Sequence, residues 1–389
     1  MNRLAWVFSG GGAKGAFGAG VFQRILEIYP TLRWQIVTGT STGSLIAPFA
    51  ALADADRART AQLVDLYGGI RKKDVFQSNF LFNPFNLPEG LVNLKPLREV
   101  VNAALPLDAQ ATLATGRVDL VVPTVNLQTA ALTLCTQERN QQRIRDWYAQ
   151  QQIPVPLEFW PFADLNEALL ASSAVPLGTT PIQNDNRRYD YKNKSKRHQY
   201  VDGGVFDKAP LREALALGAS EAIVVMMSPT QAQPRLKPFD NLIEVGLRAV
   251  DLLQDELLRG DIDNLGLAQV LYAHGVSADA LATQQVAPEV CGYLHALESA
   301  RDTPAGTAMA NPAMQPVIIE PQTGIGSGED FDSLVASGWP ESRETNGGRP
   351  VNIPIMQARI AYGRRVVDAL LAEPGSRLKA VLDASTAGQ

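Results

Sequence analysis

The apolar and polar positions near the N-terminus alternate between short strand patterns and longer helical patterns. Residues 4–8 and 34–38 are short, apolar and rich in β-branched or aromatic side chains, which predicts two buried strands. Residues 16–29 carry apolar side chains at helical spacing, and residues 44–52 are small and apolar, so a helix is predicted after each strand. This succession of strand and helix is typical of an α/β protein with parallel strands.

The same patterns predict elements along the rest of the chain. We expect further strands at 118–126, 131–136, 200–202, 222–227 and 316–321, and further helices at 54–69, 164–175, 239–265 and 356–371. Residues 70–96 and 322–350 are predicted as loops from their turn-forming residues. The phenylalanines between 76 and 85 indicate either a lid or membrane-touching edge, or a small core under the loop, which we favour. Residues 266–315 have weak periodicity and no predicted structure.

Composition excludes several classes of protein. A length of 389 residues predicts one large domain or two. The net charge of −5 offers no global reason to expect nucleic-acid binding. The two cysteines and three histidines are scattered without metal-ligand spacing, so we expect no disulfide framework, no metal and no cofactor.

Targeting signals are the next feature. The N-terminus lacks a basic segment followed by an apolar run and a cleavage site, which argues against a signal peptide. No stretch approaches the roughly 20 apolar residues of a membrane span. We therefore expect a cytoplasmic protein that contacts membranes at most peripherally, and secretion without a signal peptide stays open.

The segment Gly39-Thr40-Ser41-Thr42-Gly43 reads G-x-S-x-G between a predicted strand and a predicted helix. Strand, tight turn and helix form the setting that a nucleophile elbow requires, with Ser41 at its apex. Side chains at Gly39 or Gly43 would clash with the strand or the helix, and the helix N-terminus behind Ser41 favours negative charge. A chance match of common residues is the alternative.

A glycine-rich loop, Gly10-Gly11-Gly12-Ala13-Lys14-Gly15, follows the first predicted strand. Three functions compete for such a loop. A dinucleotide fingerprint would want an acidic residue at the end of the second strand, and a P-loop would want G-K-[ST]; neither is present. An oxyanion hole serving Ser41 fits, because parallel strands bring both turns to the same edge of the sheet. A turn that only packs is the remaining alternative.

Two further features lie near residue 200. Residues 187–197 hold six basic side chains among tyrosines, which is usual for a solvated hairpin tip and also suits contact with an anionic membrane surface. Asp202-Gly203-Gly204 then places an acid at the end of a short strand, a turn signal with no specificity of its own.

Taken together, the glycine loop, the G-x-S-x-G segment and Asp202-Gly203-Gly204 resemble the patatin-like phospholipases in order and separation. The helix end at residues 171–176 is also similar to that family. The resemblance implies a three-layer α/β/α sandwich with a mostly parallel central sheet, followed by a mainly helical or loop C-terminal extension. It covers about residues 4–230. We therefore expect a catalytic domain at 4–265 and an extension at 266–389 that packs on it.

The resemblance also implies the roles of individual residues. Ser41 is the expected nucleophile and Asp202 its only partner, while Gly10, Gly11 and Gly12 form the expected oxyanion hole. The supporting motif positions are Lys14, Gly15, Gly39, Gly43, Gly203 and Gly204. Thr42 departs from the family, which commonly has a smaller residue there.

The implied activity is hydrolysis of fatty acyl esters in phospholipids or related lipids, of phospholipase A or lysophospholipase type. Two alternatives stay open. One is a serine esterase or acyltransferase that acts on small soluble esters at the same site. The other is a lipid-binding scaffold whose site is silent. The sequence does not indicate the head group, the acyl position, an activating partner or the oligomeric state.

Overall fold

The computed structural model of this protein describes residues 3–79, 89–151, 153–192, 194–230, 242–274 and 353–387. It also describes short pieces at 277–278, 290–291, 294, 316–321, 345–346 and 349–350. Most of the residues predicted without structure, 266–315, and most of the predicted loop 322–350 lie outside the described residues, as do residues 80–88 of the phenylalanine-rich loop.

The strands within the described residues are β1 (Leu4–Phe8), β2 (Ile36–Gly39), β3 (Gln77–Ser78), β4 (Val92–Asn93), β5 (Asp119–Asn126), β6 (Ala131–Thr136), β7 (Leu157–Trp160), β8 (Ile182–Tyr191), β9 (Lys194–Asp202), β10 (Glu221–Val225), β11 (Val317–Ile319), β12 (Thr345–Asn346) and β13 (Arg349–Pro350). The helices are α1 (Gly15–Ile28), α2 (Thr42–Ala53), α3 (Ala58–Gly69), α4 (Lys72–Val75), α5 (Lys95–Ala104), α6 (Leu107–Thr115), α7 (Glu138–Gln150), α8 (Leu165–Ser172), α9 (Leu211–Ala216), α10 (Leu242–Ala273), α11 (Ile353–Ala372) and α12 (Arg377–Ala387). Short 3₁₀ turns occupy Gly12–Lys14, Phe162–Asp164 and Gly203–Val205.

A nine-stranded sheet organises the fold. Its main path runs β11-β10-β1-β2-β5-β6-β7, and every neighbouring pair on this path is parallel except β5 with β6. The β8–β9 hairpin joins through β9, which lies antiparallel to β5.

Side chains alternate between the two faces of this sheet along each strand, and helices cover both faces. Leu4, Trp6 and Phe8 enter a core shared with α1, α2, α3 and α11. Ala5 and Val7 enter a second core shared with α7 and α9. The three-layer α/β/α sandwich with a mostly parallel sheet is therefore confirmed.

Several predicted elements match the structure closely and others needed correction. Predicted strands 4–8 and 131–136 have the observed bounds, whereas the predicted strand 34–38 lies two residues later at its start, at Ile36–Gly39. Residues 70–96 are not a continuous loop, since they include α4, β3 and β4. Phe76 packs against the main core, and the other phenylalanines of that loop, Phe80, Phe82 and Phe85, lie outside the described residues. Helices α5, α6, α7, α9 and α12 were not predicted.

Two strand pairings on one side of β5 position the candidate site. The first half of β5 pairs with β2, up to Thr38 opposite Val121. The second half pairs with β9, where Asp202 lies opposite Thr124. Three residues of strand span about 10 Å. The chain therefore leaves β2 toward Ser41 between these two pairings, and β9 approaches the same stretch of β5 from the opposite direction.

Among the described helices, none combines the length and apolar character that a membrane crossing needs.

Candidate active site

Ser41 lies at the turn between β2 and α2, in a strained backbone conformation. Its φ is 55° and its ψ is −124°, with a positive φ that non-glycine residues rarely adopt. Such strain costs on the order of 1–3 kcal/mol and persists where the surroundings impose it. The side chain is almost fully buried at 6% exposure, and it lies at the N-terminus of a twelve-residue helix. This geometry is that of a nucleophile elbow.

The two glycines of the elbow are required by close backbone contacts. A Cβ on Gly39 would lie 2.3 Å from the carbonyl oxygen of Gly43, and a Cβ on Gly43 would lie 2.2 Å from the carbonyl oxygen of Phe8. Real Cβ atoms do not approach backbone oxygens so closely. Strand β1, strand β2 and helix α2 can meet at Ser41 only because both positions lack a side chain.

Hydroxyl groups hold the backbone of Ser41 from two sides. Ser172 Oγ, at the end of α8, accepts the Ser41 N–H at 3.0 Å. Ser44 Oγ donates to the Ser41 carbonyl at 2.6 Å, and Ser173 Oγ donates to the same oxygen at 3.5 Å. These three serines hold the Ser41 backbone in its strained conformation. Ser172 and Ser173 lie at the end of α8, so the strand–turn–helix pattern at residues 34–52 does not reveal them.

The glycine loop follows β1 at the same edge of the sheet. The Gly10 N–H donates to the carbonyl oxygen of Lys208 at 2.9 Å, and Ser9 Oγ donates to the carbonyl of Gly10 at 3.0 Å. A Cβ on Gly10 would lie 3.2 Å from Ser41 Cβ, so the loop borders Ser41 directly. The Lys208 carbonyl accepts the Gly10 N–H, so this group is engaged, and the oxyanion hole stays a prediction.

Gly11 and Gly12 have N–H groups that no acceptor engages within the described part of the chain. A Cβ on Gly11 would meet Met227 Cβ at 2.4 Å, so this glycine lets the loop pack against the residues after β10. Gly12 has a φ of 56°, and a Cβ there would meet no atom within 4 Å, so its backbone alone requires glycine. Exposed N–H groups of this kind can receive a developing negative charge.

Asp202 ends β9 and is 2% exposed. Its Oδ1 accepts the N–H of Gly204 at 2.7 Å, and its own N–H donates to the carbonyl oxygen of Ala174 at 2.9 Å. Ser41 is hydrogen-bonded to Ser172. Ser41 and Asp202 are therefore both attached to residues 172–174, at the end of α8. A Cβ on Gly203 would lie 2.3 Å from the carbonyl oxygen of Pro123, which makes glycine necessary there as well.

Helix α10 approaches the site from outside the motifs. A Cβ on Gly204 would lie 3.0 Å from Gln254 Nε2. The next residue of α10, Asp255, forms an ion pair with the buried Lys208, whose carbonyl holds Gly10. No motif in the sequence indicates Lys208, Gln254 or Asp255. Lys208 and Asp255 are 47 residues apart in sequence, so only the fold reveals their ion pair.

The remaining motif residues support the loop. Lys14 Nζ donates to Ser228 Oγ at 2.6 Å. A Cβ on Gly15 would lie 2.2 Å from Thr42 Oγ1, and this Oγ1 is 2.7 Å from Tyr67 Oη. Thr42 therefore directs its hydroxyl at Tyr67, on α3. Burial raises the pKa of Tyr67, so that it stays a neutral hydrogen-bonding group.

The described histidines lie away from this arrangement or are engaged elsewhere. His198 is buried four residues before Asp202, about 13 Å along the strand, and its Nδ1 is 2.8 Å from Asn126 Nδ2. His274 is exposed, and His295 lies outside the described residues. In the described part of the chain, no group of three or more His, Cys, Asp or Glu side chains is arranged to hold a metal ion.

Comparison with known families agrees with this geometry. The family model described as Patatin-like phospholipase matches residues 6–215, which is more than half of the chain. The chain belongs to the patatin-like phospholipase family. Membership implies lipid acyl hydrolase activity. The match contains the glycine loop, Ser41 and Asp202, and it ends before α10.

This patatin-like phospholipase has only low sequence identity to the solved structure that follows. The crystal structure of VipD from Legionella pneumophila superimposes with a TM-score of 0.31 and 11% sequence identity, over 95% of this chain and 67% of that chain. No curated protein matches the sequence.

Proposed function

We propose that this protein hydrolyses fatty acyl esters of phospholipids or related lipids, as a phospholipase A or lysophospholipase, with Ser41 as nucleophile and Asp202 as base. The observation that carries the proposal is the strained Ser41 turn, which borders the glycine loop and shares the end of α8 with Asp202. A nucleophile, an acid and unengaged N–H groups at one sheet edge are the parts that acyl transfer requires.

The proposed reaction begins when Ser41 Oγ attacks the ester carbonyl and the Asp202 carboxylate accepts the hydroxyl proton. The N–H of Gly204 binds Oδ1 and so fixes the orientation of this carboxylate. The oxyanion receives the N–H groups of Gly11 and Gly12, each worth about 3–4 kcal/mol in comparable sites.

The tetrahedral adduct then collapses. The ester C–O bond breaks, and the leaving alcohol, a lysophospholipid or glycerol derivative, takes the proton back from Asp202. Water attacks the acyl-enzyme while Asp202 accepts a proton from it. The bond between the acyl carbon and Ser41 Oγ then breaks, Asp202 returns the proton to Oγ, and the fatty acid is released. The residues present therefore complete the cycle with a dyad.

A panel of phospholipids, lysophospholipids and soluble esters, assayed with wild type and with Ser41→Ala, tests this function. We expect release of fatty acid from lipids by wild type only. Faster turnover of monomeric soluble esters than of vesicles would favour the esterase alternative. Absence of turnover together with absence of Ser41 labelling by a fluorophosphonate would favour the silent scaffold.

We also propose that the β8–β9 hairpin contacts an anionic membrane surface. Tyr200 lies opposite Asn126, the last residue of β5, so residues 194–199 project beyond the sheet edge that bears Ser41. Lys192, Lys194 and Lys196 are exposed, whereas Arg187 is bonded to Glu158 and to the Phe159 carbonyl. Basic residues near an anionic bilayer each contribute about 1 kcal/mol of attraction, which salt weakens.

Sedimentation with vesicles of anionic and of neutral lipids tests the hairpin. Reversal of all three lysines to Glu should weaken binding to anionic vesicles at low salt by roughly two orders of magnitude or more. The matched control reverses the exposed Lys72, Lys73 and Lys379, which changes net charge equally. Equal loss in both variants, or none in the hairpin variant, would leave the hairpin a solvated tip.

The domain division stays a proposal: residues 4–265 form the catalytic domain, and residues 266–389 form an extension. Contacts of α11 with α1 support packing of the extension on the catalytic domain.

A further inference from the structure

Helix α11 lies beyond the residues that the family match covers, yet it packs against the helix that follows the glycine loop. A Cβ on Gly20 of α1 would lie 2.1 Å from the carbonyl oxygen of Ile360. A Cβ on Gly363 of α11 would lie 2.3 Å from the carbonyl oxygen of Phe17. One glycine from each helix thus brings the two backbones into contact, and the position of α11 along α1 is closely defined.

This contact places Arg359 behind the glycine loop. Arg359 is 1% exposed, and its Nη1 donates to the carbonyl oxygen of Ala13 at 3.0 Å. Ala13 is the middle residue of the 3₁₀ turn Gly12–Lys14. Burial lowers the pKa of Arg359 to about 10, which leaves the guanidinium charged at neutral pH.

A buried charge is an expensive way to fill a contact between two helices. Burying a guanidinium carries a large desolvation cost, and an apolar side chain of similar volume often gives equal or greater stability. The Ala13 carbonyl that Arg359 binds lies two positions from Gly11 and one from Gly12. The N–H groups of Gly11 and Gly12 are engaged by no acceptor among the described residues.

We propose that Arg359 is a positioning residue for the oxyanion hole. Its charge-assisted hydrogen bond holds the Gly12–Lys14 turn, and through it the N–H groups of Gly11 and Gly12, in the orientation that receives the oxyanion. The catalytic role rests on the function proposed above, and it makes helix α11 a support of the active site.

Three variants test the proposal: Arg359→Gln, Arg359→Lys and the control Arg364→Gln. Arg364 lies on the same helix and pairs with Glu27 at the surface, 2.6 Å away, without contact to the loop. Arg359→Gln should lower kcat for a soluble ester and the rate of Ser41 phosphonylation by about 10- to 100-fold, less than loss of an oxyanion donor itself, at unchanged KM. Arg364→Gln should match wild type.

Arg359→Lys keeps the charge and loses the planar fork, so it should lose several-fold in kcat. It also carries the test if Arg359→Gln does not fold. A folded Arg359→Gln or Arg359→Lys with wild-type kcat overturns the proposal. So does a loss of similar size in Arg364→Gln, because that loss would follow from general weakening of the α1–α11 contact.

Hydrogen exchange of peptides that span residues 9–17 gives a readout without turnover. Exchange should be faster in Arg359→Gln than in wild type and in Arg364→Gln, because the turn has lost its anchor. Unchanged exchange overturns the positioning role. If exchange is faster in Arg359→Gln but wild type shows neither turnover nor Ser41 labelling, the proposed function fails and the role of Arg359 in holding the loop stands.

Discussion

The elbow around Ser41 and the glycine loop after β1 are both glycine-flanked turns at the same sheet edge, but their glycines answer to different constraints. At Gly39 and Gly43, a Cβ would enter the van der Waals radius of backbone oxygens. At Gly12, a Cβ would meet nothing, and only the φ of 56° disfavours other residues. The elbow is thus a packed turn with strain at its serine, whereas the glycine loop is packed at Gly11, against Met227, and open at Gly12.

This difference between the elbow glycines and Gly12 explains how a chain can hold a reactive side chain rigidly while leaving room for substrate. Backbone contacts cannot relax, so they impose the strained conformation of Ser41. Gly12 has no such contacts, and the orientation of the loop there depends on anchors on either side, Lys208 for Gly10 and Arg359 for Ala13.

The largest expected effect separates chemistry from strain at the elbow. Ser41→Ala and Ser41→Gly should both lower turnover by about 10⁶-fold, the cost of losing a nucleophile. Ser41→Gly should be more stable than Ser41→Ala by about 1 kcal/mol, because glycine adopts a positive φ without penalty. Kinetics and urea unfolding measure the two effects. Equal stability of the two variants would contradict a backbone strained by its surroundings.

The next effect concerns the base. Asp202→Asn should lower turnover by about 10²–10⁴-fold, since an amide cannot accept the Ser41 proton. His198→Gln, His274→Gln and His295→Gln, singly and combined, should retain most activity. A folded histidine variant without activity, beside an active Asp202→Asn, would require a histidine-based triad in place of the dyad.

A third experiment tests the comparison of glycines directly. Gly43→Ala should destabilise the protein by about 3 kcal/mol, because the carbonyl of Phe8 cannot move aside. Gly12→Ala should cost only about 1 kcal/mol, the penalty for a left-handed backbone. Thermal and urea unfolding of both variants gives the order, and a larger loss for Gly12→Ala would reverse the assignment of packed and open turns.

The smallest effect lies where the two turns touch. Tyr67 Oη is bonded to both the hydroxyl and the carbonyl oxygen of Thr42, directly beside Gly15. Tyr67→Phe should therefore cost about 1 kcal/mol in unfolding free energy, the usual worth of a hydrogen bond. Thr42→Ala is the paired control, and the double variant should lose less than the sum of the two, because both remove the same interaction.

Local patterns predicted the elements near the site better than the elements distant from it. Strands β1 and β6 were predicted with their observed bounds because their apolar runs are short and sharply ended. Helix α7 was missed because polar and charged side chains dominate its sequence. The loop predicted for 70–96 contains short strands whose pairing, such as Gln77 with Asn93, joins residues far apart in sequence.

By itself, the sequence determined the order of strand, glycine loop, helix, strand and G-x-S-x-G turn, and with it membership of the patatin-like family, because these motifs are local and their spacing is read directly. Only the tertiary structure decided that β9 continues along β5 where β2 ends, which brings Asp202 to the Ser41 edge. It also decided that Lys208 engages Gly10 and that Arg359 reaches Ala13 from 346 residues away. Such contacts depend on packing between distant segments, and no local periodicity encodes them.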